Sequence, residues 1–156
     1  MKNYLIAIIF LFQSINGSSQ TKDAFEKVKN ESVPVEVISA FEEMHPSIKN
    51  PEWRSFRDRY EAKFKKGDTW VFERFNKAGL YTEKRVLKNW NEAPQKLKEA
   101  KNKTAQKHWE VIEFYTRSNS SGQTSYILQL QDEGGELQTL YFDENATLET
   151  KSKAGY

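Results

Sequence analysis

The sequence predicts an α+β protein in which two tandem α-β-β-β-β repeats form an antiparallel sheet with helices on one face. Two observations favour this fold class. Pro34 and Pro94 each open a helical pattern that is followed by alternating, strand-like runs separated by turn residues. The two halves also align at an offset of 66 to 67 residues. Because one helix on four strands makes a marginal core, we expect the halves to share a sheet or to pack together.

The composition allows a packed core in a polar chain. Of the 156 residues, 37% are hydrophobic and 29% are charged, and the mean hydropathy is −0.82. Aromatic residues nevertheless make up 13% of the chain, and each of them can bury a large area. Cysteine is absent, which excludes disulfide bonds, thiolate metal sites and thiol catalysis.

Residues 1–19 have the three-part pattern of a secretory signal peptide. Lys2 supplies a positive charge, Tyr4–Phe12 is an apolar run, and small residues lead to a cleavage site expected before Gln20. The run is too short to span a hydrocarbon core, which needs about 20 residues. We therefore expect a periplasmic or extracellular protein with no membrane span after the signal is removed. The alternative is a buried N-terminal strand or helix.

Residues 20–32 are interpreted as an N-terminal linker and residues 33–88 as the first repeat. Its helix carries an apolar pattern that includes Phe41, and His45-Pro46 ends it. Four strands are expected after the helix, over Glu52–Arg57, Tyr60–Lys65, Thr69–Phe75 and Leu80–Val86.

Residues 89–156 are interpreted as the second repeat, within the same structural domain. Its helix follows Pro94 and places Leu97 and Ala100 on the apolar side. The strands expected here are Trp109–Arg117, Gln123–Gln131, Glu136–Phe142 and Thr147–Lys151.

Alternation of side chains along the strands assigns a core face. The positions that are apolar in both halves are predicted to face the helices: Tyr60, Ala62 and Phe64, aligned with Tyr126, Leu128 and Leu130. A two-residue hairpin turn at Gly67-Asp68 fixes the register of the next strand. That register gives three opposite pairs on the core face: Phe64 with Val71, Ala62 with Glu73, and Tyr60 with Phe75.

The combined pattern resembles a known family. Its motifs are a Val-Pro pair before the first helix, His45-Pro46 after it, Trp53, a Tyr-x-Ala-x-Phe strand at 60–64 and a Phe-Asn turn at 75–79. Over residues 33–150 they resemble the secreted bacterial PepSY-like proteins, described as β-lactamase-inhibitor-like. The second half departs from the pattern at Ala146, where the first half has a turn glycine. The resemblance implies a two-repeat sheet with helices on one face, a periplasmic or extracellular location, and binding without catalysis.

The sheet face away from the helices is the candidate binding site. Such a face should be polar in an antiparallel sheet, yet here it is expected to carry large apolar side chains. Trp, Tyr and Arg also dominate interface energies. The candidate binding residues are Trp70, Phe72, Arg74, Ile127, Leu137 and Tyr141. Three alternatives are open: residues 21–31 cover this face, a homodimer covers it, or the hairpin register is shifted by one residue.

Charge is distributed unevenly along the chain. The formal net charge is +2, but residues 20–48 carry −3, residues 49–107 carry +9 and residues 108–156 carry −5. A basic middle segment can attract an anionic partner. The alternative, which we favour, is that the acidic segments lie beside it in the fold and partly cancel its charge.

The sequence contains no catalytic, metal or cofactor motif. His45 and His108 lack metal-ligand spacing. Glu42 with His45, or the turn at 132–135, could contact a metal ion, but a helix-ending histidine and a hairpin turn explain them more simply. Aromatic residues interleaved with Arg and Lys at 53–75 are also found in single-strand nucleic-acid platforms. Export argues against that partner, so we expect no enzyme activity, no cofactor and no nucleic acid.

These observations predict an exported, non-catalytic binding module, protein-binding or inhibitor-like, that uses the open sheet face. The alternative is a periplasmic sensor or scavenger of an anionic envelope ligand that binds through the basic middle segment. The partner is accordingly an unknown protein or an envelope ligand.

Overall fold

The computed structural model describes residues 25–149, which form one eight-stranded antiparallel sheet with two α-helices. The predicted signal peptide, residues 1–19, lies outside the described residues. Each strand pairs with the next one along the chain. The strands are β1 (Glu26–Lys27), β2 (Glu52–Phe56), β3 (Arg59–Lys66), β4 (Thr69–Asn76), β5 (Tyr81–Lys88), β6 (Glu110–Asn119), β7 (Thr124–Gln131) and β8 (Leu137–Phe142). The helices are α1 (Val35–Met44) and α2 (Gln95–Asn102).

Both helices begin where the sequence predicts. Pro34 and Pro94 stand immediately before them, and their carbonyls accept hydrogen bonds from the backbone N–H groups of Val37 and Leu97 at 3.0 and 2.9 Å. Proline suits this position because its missing N–H would have no partner in the first turn. Within residues 25–149, no helix is both long and apolar enough to cross a membrane.

The β3–β4 hairpin has the predicted register. Gly67-Asp68 forms its two-residue turn, and Lys66 lies opposite Thr69. The three predicted pairs on the core face are confirmed: Phe64 with Val71, Ala62 with Glu73, and Tyr60 with Phe75. A shift of one residue would have moved every side chain of the strand to the other face.

Both helices pack on the same face of the sheet. One row of register partners runs across it from Val71 through Val86, Thr116 and Tyr126 to Phe142. Val71 belongs to the buried cluster under α1, and Phe142 to the buried cluster under α2. Because partners in neighbouring strands point to the same side, the opposite face is left without helices.

Four turns of the sheet share one geometry, in which an Asn or Asp begins the turn and a residue with positive φ stands three positions later. In the first, the Asn76 side chain accepts hydrogen bonds from the backbone N–H groups of Ala78 and Leu80 at 2.9 and 3.0 Å, and Gly79 has φ +79°. The other turns begin at Asn119, Asp132 and Asp143 and have their positive φ at Gly122, Gly135 and Ala146.

The two edges of the sheet differ from the prediction. The strand expected over Thr147–Lys151 is reduced, as far as the described residues reach, to an isolated bridge between Leu148 and Phe142. The preceding turn extends to Thr147, so that Leu148 and Glu149 are the residues of this expected strand that remain to pair within the described chain. At the other edge, β1 lies inside the predicted linker 20–32 and pairs with β2.

Candidate functional site

All six candidate binding residues lie on the face away from the helices, called the open face from here on. Trp70, Phe72 and Arg74 alternate along β4 with the buried positions of the core face. On the other half of the sheet, Ile127 lies opposite Tyr141, and Leu137 lies opposite Gln131 at the start of β8. The sequence therefore assigns these side chains to the correct side of the sheet.

The centre of the open face is an aromatic contact between the two halves. The rings of Phe72 and Tyr115 meet edge to face with centroids 5.7 Å apart. The guanidinium of Arg85 lies over both rings, 5.3 and 5.7 Å from their centroids. Phe72 is only 8% exposed although no helix covers it. Phe72 is therefore enclosed by its neighbours on the sheet, Tyr115 and Arg85 among them.

A continuous apolar band crosses the second half from this centre. Tyr115 lies opposite Ile127 on β7, and Ile127 lies opposite Tyr141 on β8. Ile127 is buried and Tyr141 is half-buried, whereas Leu137 is 53% exposed at the end of its strand. The guanidinium of Arg117 lies 5.9 Å from the centroid of the Tyr141 ring. Leu137 stands apart from this band, near the edge of the face.

A network of charges lies beside the aromatic centre. The carboxylate of Glu61 is almost fully buried, and it accepts hydrogen bonds from Arg74 Nε at 2.8 Å and from Arg85. Glu83 forms a second ion pair with Arg74, with Nη1 and Oε1 3.0 Å apart. Two guanidinium groups shared between two carboxylates are held in place, and each carboxylate lowers the cost of burying the arginines.

Trp70 lies at the other end of β4 from Arg74, and two lysine ammonium groups lie over its ring. The Nζ atoms of Lys63 and Lys65 lie 4.6 and 5.1 Å from the ring centroid. Trp70 is half-buried. An aromatic ring with cations on its face presents both apolar and positive surface to a partner.

The N-terminal segment covers one margin of the open face. The Phe25 ring centroid lies 4.5 Å from the guanidinium carbon of Arg74 and 6.0 Å from the Phe56 ring. Covering by residues 21–31 was one of the alternatives from the sequence, and within the described chain this contact involves Arg74 alone among the six candidates. Residues 21–24 lie outside the structural description.

Sequence reasoning missed three residues that organise this face: Glu61, Arg85 and Tyr115. The alternation in Glu83-x-Arg85-x-Leu87 and Glu113-x-Tyr115-x-Arg117 is visible in the sequence and places each set on one side of its own strand. No short turn connects β5 to β6, however, because α2 intervenes. Their shared face therefore follows only from the observed pairing of Leu87 with Tyr115.

The helix face also holds a polar pair, between the half-buried His45 at the end of α1 and the buried Glu73 on β4. His45 Nε2 lies 2.6 Å from Glu73 Oε2, and the imidazole packs 4.9 Å from the Phe64 ring centroid. Glu73 is thus the hydrogen-bond partner of His45, and the pair ties the helix end to the sheet. Among residues 25–149, no group of three or more potential metal-ligating side chains comes together.

We expect stability to fall at alkaline pH through Tyr115. Burial, the hydrogen bond from its hydroxyl to Glu113 at 2.6 Å and the charge of Glu113 raise the pKa of Tyr115 above its ordinary value of about 10. Above about pH 10 the unfolded chain loses this proton while the folded protein keeps it, so stability present below that pH is lost as the pH rises. The slope is at most about 1.4 kcal/mol per pH unit.

The measurement is urea unfolding between pH 9 and 11.5 for the protein and for Tyr115→Phe. The variant should show a shallower decline, and the difference between the two curves cancels the other titrating groups. Tyr81, whose pKa is also raised by burial and by the charge of Glu73, gives a second variant that should flatten the curve further. Parallel curves for the protein and Tyr115→Phe would contradict the prediction.

The fold defines the class: an α+β protein whose single antiparallel sheet carries both helices on one face and an aromatic, arginine-rich surface on the other. Solved structures from Bacteroides share this fold. A protein of Bacteroides eggerthii described as "putative periplasmic" is 15% identical with a TM-score of 0.68, covering 76% of this chain and 86% of that one. A DUF2874 family protein of Bacteroides ovatus is 16% identical with a TM-score of 0.66, covering 75% and 84%.

A BLIP-like protein of Bacteroides fragilis is also similar, with 16% identity, a TM-score of 0.58, and coverage of 73% of this chain and 81% of that one. At these identities the likeness establishes the shared fold. It supports a likeness to the BLIP-like protein in fold alone, and the PepSY part of the resemblance found in the sequence stays a prediction. No protein-family model matches the chain, and a search of curated proteins gave no significant match.

Proposed function

We propose that the protein is an exported, non-catalytic binding module that captures a protein partner on its open face. The observation that carries this proposal is the band from Phe72 through Tyr115 and Ile127 to Tyr141, on a sheet face that neither helix covers. Within the band, the half-buried Tyr115 and Tyr141 supply the accessible surface, and the buried Phe72 and Ile127 support them. Aromatic and arginine side chains in fixed positions, surrounded by polar groups, are typical of the centre of a protein interface.

Rigid placement supports a binding role. Arg74 and Arg85 are fixed by Glu61, and Phe72 is fixed by Tyr115, so a partner does not have to order these long side chains on docking. Preorganisation of this kind lowers the entropic cost of association. Export is supported by the three-part pattern of residues 1–19 and by the periplasmic description of the Bacteroides eggerthii neighbour.

We also infer that the fold consists of two tandem copies of one α-β unit. Each half has a short 3-10 turn, a proline before its helix and a buried cluster of its own. The Asn76 and Asp143 turns make the same hydrogen bonds. Duplication would give the protein one wide open face from two units that are each marginal in size.

Binding of an anionic envelope ligand through the basic middle segment, residues 49–107, is the weaker candidate, because lysines of its helix α2 donate to backbone carbonyls of the protein itself. Lys101 is buried, and its Nζ donates to the carbonyls of Lys107 and Trp109 at 2.8 and 2.7 Å. Lys98 donates to the carbonyl of Asn91 at 2.8 Å, and Lys96 donates to a backbone carbonyl as well. These lysines stabilise the fold, which reduces the positive surface left for a ligand.

The experiment is capture of envelope proteins on the immobilised protein, quantified by mass spectrometry. We expect Trp70→Ala/Tyr141→Ala to reduce retention of the bound partner at least tenfold, because both truncated side chains contribute interface area. The loss of retention caused by this double variant should be similar at low and high salt, since the apolar contacts that it removes are not screened. Val35→Ala is the matched control, because it removes a 68% exposed apolar side chain from α1.

Equal retention by the double variant and the control would contradict the proposal. Sedimentation of the purified protein tests the homodimer alternative. A dimer that the same double variant dissociates would show that the open face binds a second copy and would overturn the proposal of a different partner.

A further inference from the structure

We propose that a cleft at the Trp70 end of the open face binds an acidic peptide segment in extended conformation. This rests on the proposed function, because Trp70 belongs both to the open face and to the wall of the cleft, and it gives the chemistry of the partner. The cleft has a volume of about 420 Å³ and lies between the α1–β2 loop and the end of β3. Its lining includes Ile48, Lys49, Asn50, Lys63, Lys65 and Trp70.

The first observation is an unpaired length of β3. Pairing between β2 and β3 ends at Glu52 with Lys63, whereas β3 continues to Lys66. In a two-residue hairpin the closing pair, Lys66 and Thr69, is hydrogen-bonded, and such pairs alternate along the strand. The N–H and C=O of Lys65 therefore point away from β4, toward the cleft.

The α1–β2 loop leaves the cleft open at the position opposite Lys65. Continued pairing would bring Asn50 opposite Lys65, but Asn50 has φ +52°, which turns the chain out of the strand direction. Both residues belong to the described chain, and no hydrogen bond joins their backbones. A strand edge with free backbone groups is a site where an extended peptide can add.

The second observation is the positive charge of the side chains that line the cleft. Lys49, Lys63 and Lys65 line the cleft, and within residues 25–149 none of them forms an ion pair with a carboxylate. The one acidic side chain of the lining, Glu52, is already held by Lys27 and Arg54 at 3.2 and 2.8 Å. Those two contacts also lower the pKa of Glu52. The cleft thus offers positive charge to an incoming carboxylate.

The Trp70 ring links the two observations. Lys63 and Lys65 place their ammonium groups on its ring, a weak interaction at a partly exposed site that a carboxylate can replace. Backbone pairing along Lys65 selects an extended polypeptide, and the lysines select acidic side chains on it. A glycan or a nucleic acid would use the charge but not the strand edge.

The test is a titration of the ¹⁵N-labelled protein with a capped peptide of alternating Glu and Val, followed by NMR. We expect the Lys65 amide and the Trp70 indole signals to shift, with affinity falling at least tenfold for the charge-reversed double variant Lys49→Glu/Lys65→Glu. The matched control is Lys77→Glu/Lys88→Glu, which makes the same charge change at exposed lysines outside the cleft and should bind as the unaltered protein does.

Two further probes separate the peptide from a general polyanion. Replacing every Glu of the peptide by Gln should abolish binding, and methylating its backbone nitrogens should weaken it. Equal binding of the Gln peptide, or binding of polygalacturonate at the same residues with the same affinity, would overturn the proposal. If Tyr141→Ala abolishes partner capture while Lys49→Glu/Lys65→Glu does not, the proposed function stands and the acidic peptide does not. If the peptide binds at the cleft but the open face captures no partner, the acidic-peptide site stands and the proposed function does not.

Discussion

Replacing Glu61 with alanine is expected to lower the free energy of unfolding by about 3–5 kcal/mol. The Glu61 side chain is 1% exposed and is the shared acceptor of Arg74 and Arg85. Its removal leaves two guanidinium groups partly buried beside Glu83 alone. The loss comes mainly from these uncompensated charges, because a buried ion pair itself contributes little net stability.

Urea unfolding followed by circular dichroism measures this effect. Glu52→Ala is the matched control, because Glu52 is also a carboxylate with two basic partners on the same sheet but is 30% exposed. An exposed ion pair is worth about 0–1 kcal/mol, so the control should lose no more than that. Equal losses in the two variants would show that Glu61 behaves as an ordinary surface carboxylate.

The same substitution should also affect binding. Glu61 holds Arg74 and Arg85 in place, and Arg85 covers the contact between Phe72 and Tyr115. A quadruple variant that replaces Glu61, Arg74, Glu83 and Arg85 with methionine removes all the charges of the network together. It should recover most of the lost stability, since no buried charge is left alone, while it should not recover partner capture. This outcome would separate the stability of the face from its recognition chemistry.

Local rules made much of the fold predictable. A proline before each helix and a two-residue turn at Gly67-Asp68 fix helix starts and one hairpin register, and each depends on residues adjacent in sequence. Because register determines which side chains share a face, the prediction for Trp70, Phe72 and Arg74 followed from that one turn.

The features of the fold and of the candidate site that were not predicted depend on contacts between segments distant in sequence. Glu61 is buried only because arginines from β4 and β5 reach it, 13 and 24 residues away in the chain. His45 and Glu73 are likewise 28 residues apart. The alternation of side chains along a strand does not predict that a charged residue on an uncovered face will be buried. Tyr115 was missed for a related reason, since α2 separates β5 from β6 and no turn sets their register.

Replacing Gly79 with alanine should also destabilise the protein strongly, for a reason that lies outside the turn itself. Gly79 has φ +79°, and a Cβ atom there would lie 2.5 Å from the backbone oxygen of Glu36 in the first turn of α1. The left-handed conformation costs an ordinary residue about 1–2 kcal/mol. Forcing the β4–β5 turn away from the helix adds about 1–3 kcal/mol. Thermal and urea unfolding give the total.

Gly122→Ala isolates the two contributions, because Gly122 occupies the same position in the same kind of turn and also has φ +79°, but a Cβ atom there would meet no other group within 4 Å. The free energy of unfolding of Gly122→Ala should fall only by the cost of the left-handed conformation, about 1–2 kcal/mol. Ala146 already shows that this turn accepts a methyl group, since it has φ +64° and is buried in the cluster under α2. A larger loss for Gly79→Ala than for Gly122→Ala therefore measures the contact between the turn and α1. Equal losses would mean that the helix yields without cost.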